Sequence, residues 1–353
     1  MQGLMQDWPL LCHRVIDHAA ANAAERPVIS RSIEGPMHTT NYVEIRRRAL
    51  RVAQRLERDG VKLGDRVATL AWNTWRHLET WYGILGIGAI YHTVNPRLFT
   101  DQIAWIINHA EDRVIMIDVT FLPILEKIAD RIPTIERTIV YCDAAHMPAT
   151  SLRNAVPYED WLAEADGDFA WKSFDENTAA GMCYTSGTTG NPKGVLYSHR
   201  SNVLHAMTAS RPDMIGLSGR DIAMPVVPLF HANGWAIGFA APMAGATLIL
   251  PGQKLDGPSI YQLLNDYKVT LHGGRADGLV GTAARPRKDW RQAALFAPGC
   301  NRRLGLSTRY DFNIPRRLRR RSHPRLGHDR DESAWHHLFA QGRICRPQRR
   351  RAS

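Results

Sequence analysis

Apolar residues along the chain fall into two kinds of segment. Short runs with little alternation are RVATLAW (66–72), AIYHTVN (89–95), RVIMID (113–118), RTIVYC (137–142), GMCYTS (181–186), IAMPVV (222–227), ATLIL (246–250) and VTLH (269–272). Between them lie longer stretches with apolar residues at helical spacing: TWRHLETWYGILGIG (74–88), TDQIAWIINHA (100–110), FLPILEKIADR (121–131) and GPSIYQLLNDY (257–267). A strand that is apolar on both sides belongs in a sheet covered by helices on both faces. The repetition therefore predicts a largely parallel α/β architecture from about residue 65. Ahead of it, TNYVEIRRRALRVAQRLERDG (40–60) predicts one amphipathic helix, with Leu50, Ala53 and Leu56 on one face and Gly60 as a stop. The N-terminal MQGLMQDWPLLCHRVIDHAA lacks a basic segment before a long apolar core. It is expected to be an amphipathic helix and not a signal peptide.

One run departs from this grammar. YTSGTTGNPKG (184–194) packs hydroxyls and glycines around one lysine, after a strand and before an expected helix. Gly187, Gly190 and Gly194 let backbone N–H groups approach an anion closely. Thr185, Ser186, Thr188 and Thr189 add hydroxyl donors, and Lys193 adds a positive charge. Such a loop can hold a polyphosphate. It is not a Walker A loop, because Pro192 stands where that motif needs Gly and Gly194 where it needs Ser or Thr.

Composition changes the picture mainly at the C-terminal end. The 353 residues are 44 % hydrophobic, enough for one large domain or two. The longest apolar candidate, AIGFAAPMAGATLIL (236–250), is too short to cross a bilayer, so no membrane span is expected. Cys12, Cys142, Cys183, Cys300 and Cys345 are scattered and form no C-x-x-C pair. This predicts reduced thiols, a cytoplasmic location and no metal site. The net charge of +11 is uneven: residues 273–353 hold 20 Lys+Arg against 6 Asp+Glu, and residues 1–272 hold 25 against 28. The basic segment is dominated by arginine, is interrupted by prolines and builds no apolar face. By itself it would read as disordered or nucleic-acid-binding. It lacks interleaved aromatics, and no nucleic acid is expected as a partner.

The loop at 184–194 resembles the signature of the adenylate-forming superfamily, which includes acyl-CoA synthetases, luciferases and peptide-synthetase adenylation domains. VPLFHANGW (227–235), GDRVATLAWN (64–73) and YHTVNPRL (91–98) resemble further segments of its acyl-CoA ligases, closest to the bacterial medium- and long-chain fatty acyl-CoA ligases and their methylthiopropionate-CoA ligase branch. The resemblance implies that residues 1–272 are part of the large N-terminal domain, with parallel-rich sheets flanked by helices. It implies ATP phosphate binding by Thr185, Ser186, Gly187, Thr188, Thr189, Gly190 and Lys193. It also implies an acyl pocket with His231 beside the carboxylate and Trp235 as its gate. The reaction implied joins a carboxylic acid to coenzyme A: ATP and Mg²⁺ first give an acyl-adenylate and pyrophosphate, and CoA then displaces AMP. An adenylate-forming enzyme with a different acceptor is the alternative.

The family's aromatic-Gly-x-Thr-Glu and Tyr-x-Thr-Gly-Asp motifs do not occur after the loop, and its mobile lysine domain is not recognisable. No catalytic residue is therefore assigned, and the chain is expected to be an inactive or impaired fragment. The genetic code offers a cause. Read one nucleotide late, GRADGLV (274–280) permits G-V-P-T-V-W-L, and PRLGHDRDESAWH (324–336) permits H-A-W-G-M-T-E-M-S-P-L-G-T. The second reading restores the missing Gly-Met-Thr-Glu. Residues from about 271 onward are thus expected to be an out-of-frame translation. Sequencing the gene across codons 268–276 checks this. A ligase frame continuing beside the translated one is expected, and its absence would refute the proposal.

Overall fold

The computed structural model describes residues 4–5, 7–185 and 191–273. In chain order they form α1 (His13–Asn22), β1 (Pro27–Arg31), β2 (Met37–Asn41), α2 (Tyr42–Arg58), β3 (Arg66–Leu70), α3 (Trp75–Gly86), β4 (Ile90–Thr93), α4 (Thr100–Ala110) and β5 (Val114–Ile117). There follow α5 (Leu122–Glu126), β6 (Arg137–Val140), β7 (Ala155–Pro157), α6 (Tyr158–Ala163), β8 (Ala179–Thr185), β9 (Lys193–Ser198) and α7 (His199–Ala209). The remainder is β10 (Ile222–Pro225), α8 (Ile237–Ala244), β11 (Thr247–Leu250), α9 (Gly257–Asp266) and β12 (Leu271–Gly273).

The strands form two sheets. One has seven strands in the order β7-β6-β5-β3-β4-β8-β9, the other five in the order β12-β10-β11-β1-β2. Every pairing is parallel except β8 with β9 and β1 with β2. All eight apolar runs contain a strand, which confirms the expected parallel-rich α/β class. One core packs residues of both sheets, such as Val28 and Leu248 with Val67 and Met116, against α1, α2, α3 and α8. The outer face of the larger sheet is covered by α4 and α5 through Ile103, Ile107 and Leu125. Ile260 and Leu263 of α9 cover the outer face of the smaller one.

Helix α2 starts where Asn41 accepts a hydrogen bond from the Glu44 amide at 2.9 Å, satisfying one of the donors a helix start leaves free. Helix α3 is buried along its whole length. It packs so close to α2 that a methyl on Gly83 would lie 2.4 Å from Val52 Cγ1. Three expectations need correction. The predicted helix at 121–131 is only α5, flanked by 3₁₀ turns at Val119–Phe121 and Ala129–Arg131. The N-terminal helix begins only at His13, after Pro9. The segment after the glycine-rich loop is not a helix but the strand β9, and α7 starts six residues later, capped by Ser198.

Burial also fixes protonation. Loss of hydration holds His13 down at about 4, His77 at about 4 and His199 at about 3. His77 shows how a neutral ring is accommodated: Nδ1 donates to the Trp72 carbonyl at 3.0 Å, and Nε2 accepts from Trp81 Nε1 at 3.1 Å. His38, His205 and His272 are shifted the same way. Burial pushes Asp118 up to about 7 and also raises Asp112, which act in the opposite sense. Below the ordinary histidine value the unfolded chain takes up protons that the folded histidines refuse, so stability is lost as pH falls. Urea titrations at pH 6.5 and 4.5 should show a drop on the order of 3 kcal/mol; equal stability at both would contradict this assignment of neutral rings.

Candidate functional site

The glycine-rich stretch begins and ends on a β-hairpin. Tyr184 pairs with Gly194 and Thr185 with Lys193, the last cross-strand pair before the connection. Ser186, Gly187, Thr188, Thr189 and Gly190 lie outside the described residues. Thr185 and Lys193 are described, and both are exposed at the mouth of the hairpin. Because side chains alternate along a strand, Thr185 shares a face with Cys183 and Gly181, and Lys193 opposite it shares that face. It is the face on which Tyr91 lies over Gly181, where a methyl would come within 2.3 Å of the ring. The helix that follows starts past β9, so its N-terminus is not what faces an anion held at the hairpin mouth.

The second predicted stretch, around His231 and Trp235, reaches the same face. Asn233, Gly234, Trp235 and Ala236 all have positive φ, between 45° and 59°. Such a left-handed turn costs roughly 1–2 kcal/mol for each residue with a side chain, so the surroundings must hold it. Asn233 is buried. Its Oδ1 accepts from Thr93 Oγ1 at 3.1 Å, and its Nδ2 donates to the Tyr91 hydroxyl at 3.2 Å. Gly234 packs on Leu229, whose Cδ2 would lie 2.6 Å from an added methyl. His205 of α7 hydrogen-bonds the Trp235 backbone. The turn is thereby tied to the carboxyl end of β4. Trp235 is 42 % exposed and is not core packing, and His231 is exposed at the start of the turn.

Asn73 brings this segment into place. Its Nδ2 donates to the carbonyls of Pro225 and Val227 at 2.8 and 3.0 Å, and its Oδ1 accepts from the Leu229 amide at 2.7 Å. Asn73 follows β3 of one sheet, and residues 225–229 follow β10 of the other. Reading from the sequence missed Asn73, Asn233 and Tyr91. All three stood inside the quoted segments, but side-chain type gave no sign of their partners.

Elsewhere, a cleft of about 420 Å³ is lined by His38, Trp75, Arg48, Arg76, Glu44 and Glu159, among others. Its arginines are already committed: Arg48 to Glu79 and Glu159, and Arg76 to Glu34 and Glu159, at 2.5–3.0 Å. It lacks the uncommitted cation that an anionic ligand would need. Among the described residues no group of three His, Cys, Asp or Glu could hold a metal ion. None of their helices is long and apolar enough to cross a membrane.

The family model for the AMP-binding enzyme matches residues 16–278. The chain belongs to the AMP-binding enzyme family. It is 45 % identical over 286 residues to a 3-methylmercaptopropionyl-CoA ligase of Ruegeria pomeroyi, covering 80 % of this chain and 53 % of that one. It is 43 % identical over 271 residues to a medium-chain-fatty-acid–CoA ligase of Ectopseudomonas oleovorans, covering 77 % and 50 %. The chain thus spans about half the length of these relatives. The crystal structure of an anthranilate CoA ligase in complex with anthranoyl-AMP superposes with a TM-score of 0.70 at 22 % identity, covering 82 % of this chain and 54 % of that one, and shares the fold. For this AMP-binding family member, Asn73→Ala leaves two carbonyls and one amide without partners. It should lower stability by about 3 kcal/mol in urea titration. A loss below about 1 kcal/mol would mean that water replaces the amide without penalty.

Proposed function

We propose that this AMP-binding family member descends from an AMP-forming acyl-CoA ligase and that its hairpin mouth holds the β- and γ-phosphates of ATP. One observation carries the reading. The side chains of Thr185 and Lys193 project from the same sheet face that anchors the 231–236 turn, at the carboxyl ends of β4 and β8. Ligands of parallel α/β sheets bind at such ends. Lys193 would neutralise charge as the carboxylate approaches the α-phosphate, where two anions must meet. His231 and Trp235 would border the acyl group, and CoA would be the acceptor. The acyl-CoA ligase relatives favour a CoA acceptor over other adenylate-forming chemistry. Mg²⁺ would enter with the phosphates of the nucleotide, since such sites take few protein ligands.

The domain division is likewise a proposal: family sequence over 1–272, and an out-of-frame tail over 273–353. The end of the family match at residue 278 supports it. A cytoplasmic location is proposed with it.

Calorimetry with Mg·ATP and with pyrophosphate tests the site. The chain should bind both, and Lys193→Ala should weaken binding about tenfold. Unchanged affinity in that variant would remove the hairpin from the nucleotide site. Carboxylate-dependent ATP–pyrophosphate exchange is expected to stay at background, since the Thr-Glu and Tyr-x-Thr-Gly-Asp motifs are absent from the 353 residues. Robust exchange would show that the chain adenylates without them.

A further inference from the structure

Tyr184 stands one residue before the phosphate-contacting set, and its side chain points to the opposite face of the sheet from Thr185 and Lys193. On that face it is held on several sides. Its hydroxyl lies 2.7 Å from His109 Nδ1 on α4. Its ring meets those of Trp105 and His109 edge-on, at 6.1 Å and 90° and at 5.8 Å and 83°. Those two rings stack on each other at 4.4 Å. His92 of β4 lies 5.2 Å from the Tyr184 ring, itself fixed by Asp112 at 2.6 Å, with both partners fully buried. On the neighbouring strand the ring lies over Gly194, where a methyl would stand 3.2 Å from Cζ and 3.4 Å from Cε1.

We propose that Tyr184 is a positioning residue for Lys193: clamped to α4 and lying across Gly194, it sets the direction in which Lys193 leaves the hairpin. The proposal rests on the phosphate-binding reading above and assigns a further residue to that site. The geometry gives each group a part. Cross-strand neighbours at Tyr184–Gly194 and Thr185–Lys193 are adjacent pairs, so the backbone that carries Lys193 is the backbone Tyr184 covers. The absence of a side chain at Gly194 lets an aromatic ring lie flat across β9. Burial pushes the Tyr184 phenol up to about 12, and its hydroxyl shares a hydrogen bond with His109 Nδ1. The ring is anchored to α4, and it sits where the hairpin runs past the last pairing of β8 with β4 at Cys183, so this anchor supports the end of the hairpin that carries Lys193. Tyr184 touches no substrate in this scheme and acts only through Lys193.

A double-mutant cycle on the full chain distinguishes positioning from general stabilisation. Tyr184→Phe keeps the ring and loses the hydroxyl, and should weaken Mg·ATP binding about threefold. Tyr184→Ala should weaken it about tenfold, but should have less than a twofold effect, roughly, when Lys193 is already alanine. If Tyr184→Ala costs the same with and without the Lys193 amine, or costs nothing, the proposal is overturned. A ligand-free readout keeps it separate from the nucleotide-binding reading. Amide exchange at Lys193 and Gly194 should rise about tenfold or more in Tyr184→Ala while exchange in β11 is unchanged. If the wild-type chain binds neither Mg·ATP nor pyrophosphate, the phosphate-binding reading falls, and the exchange result alone decides the positioning. Wild-type exchange at those amides in Tyr184→Ala would then overturn it.

Discussion

The placement of the candidate site depends on one amide. The side chain of Asn73 spends its donor and acceptor capacity on three backbone groups of residues 225–229, and its own carbonyl accepts from the Gly252 amide at 3.0 Å. It sits just past β3 of the seven-stranded sheet, and all four partners belong to segments leaving the five-stranded sheet. Hydrophobic packing of helices between the sheets brings them together without direction. Directional hydrogen bonds in a dry interior set how the loops at their carboxyl ends face one another. Aspartate would present no donor to the two carbonyls.

The left-handed turn at 233–236 follows from that placement. Its backbone cost is offset by groups that have no other work: Asn233 toward Thr93 and Tyr91, and Gly234 against Leu229. Tyr91 connects this to the deep core. Its ring stacks on Trp81 at 4.3 Å and 12°, covers Gly181, and offers its hydroxyl to Asn233. Trp81 in turn hydrogen-bonds His77. Packed side chains thus run from His77 and Trp81 of α3 through Tyr91 to Asn233 at the start of the turn.

Much of this was readable in advance, and the gaps have physical reasons. Strands buried on both faces, such as Val114–Ile117 and Thr247–Leu250, announce themselves as apolar runs. Met37–Asn41 does not, because it is a polar edge strand whose pairing comes from its hairpin with β1. Lys193–Ser198 hid for a related reason. It is an edge strand with no buried residue, so no apolar run marks it. Candidate site residues were legible by chemical type at Lys193, His231 and Trp235. Their fixings were not, because an asparagine with three backbone partners looks the same in sequence as one in water.

The smaller sheet imposes an order on synthesis. Its strand β1 pairs with β2 at once, but its other neighbour is β11, with Val28 opposite Leu248. At ribosomal rates of roughly 5–20 residues per second, that edge waits ten seconds or more for its partner. Until then a nascent chain carries an open, apolar strand edge able to pair with any extended segment nearby. Trigger-factor-like holding during translation, or slow emergence of residues 28–250, would be felt first at this edge.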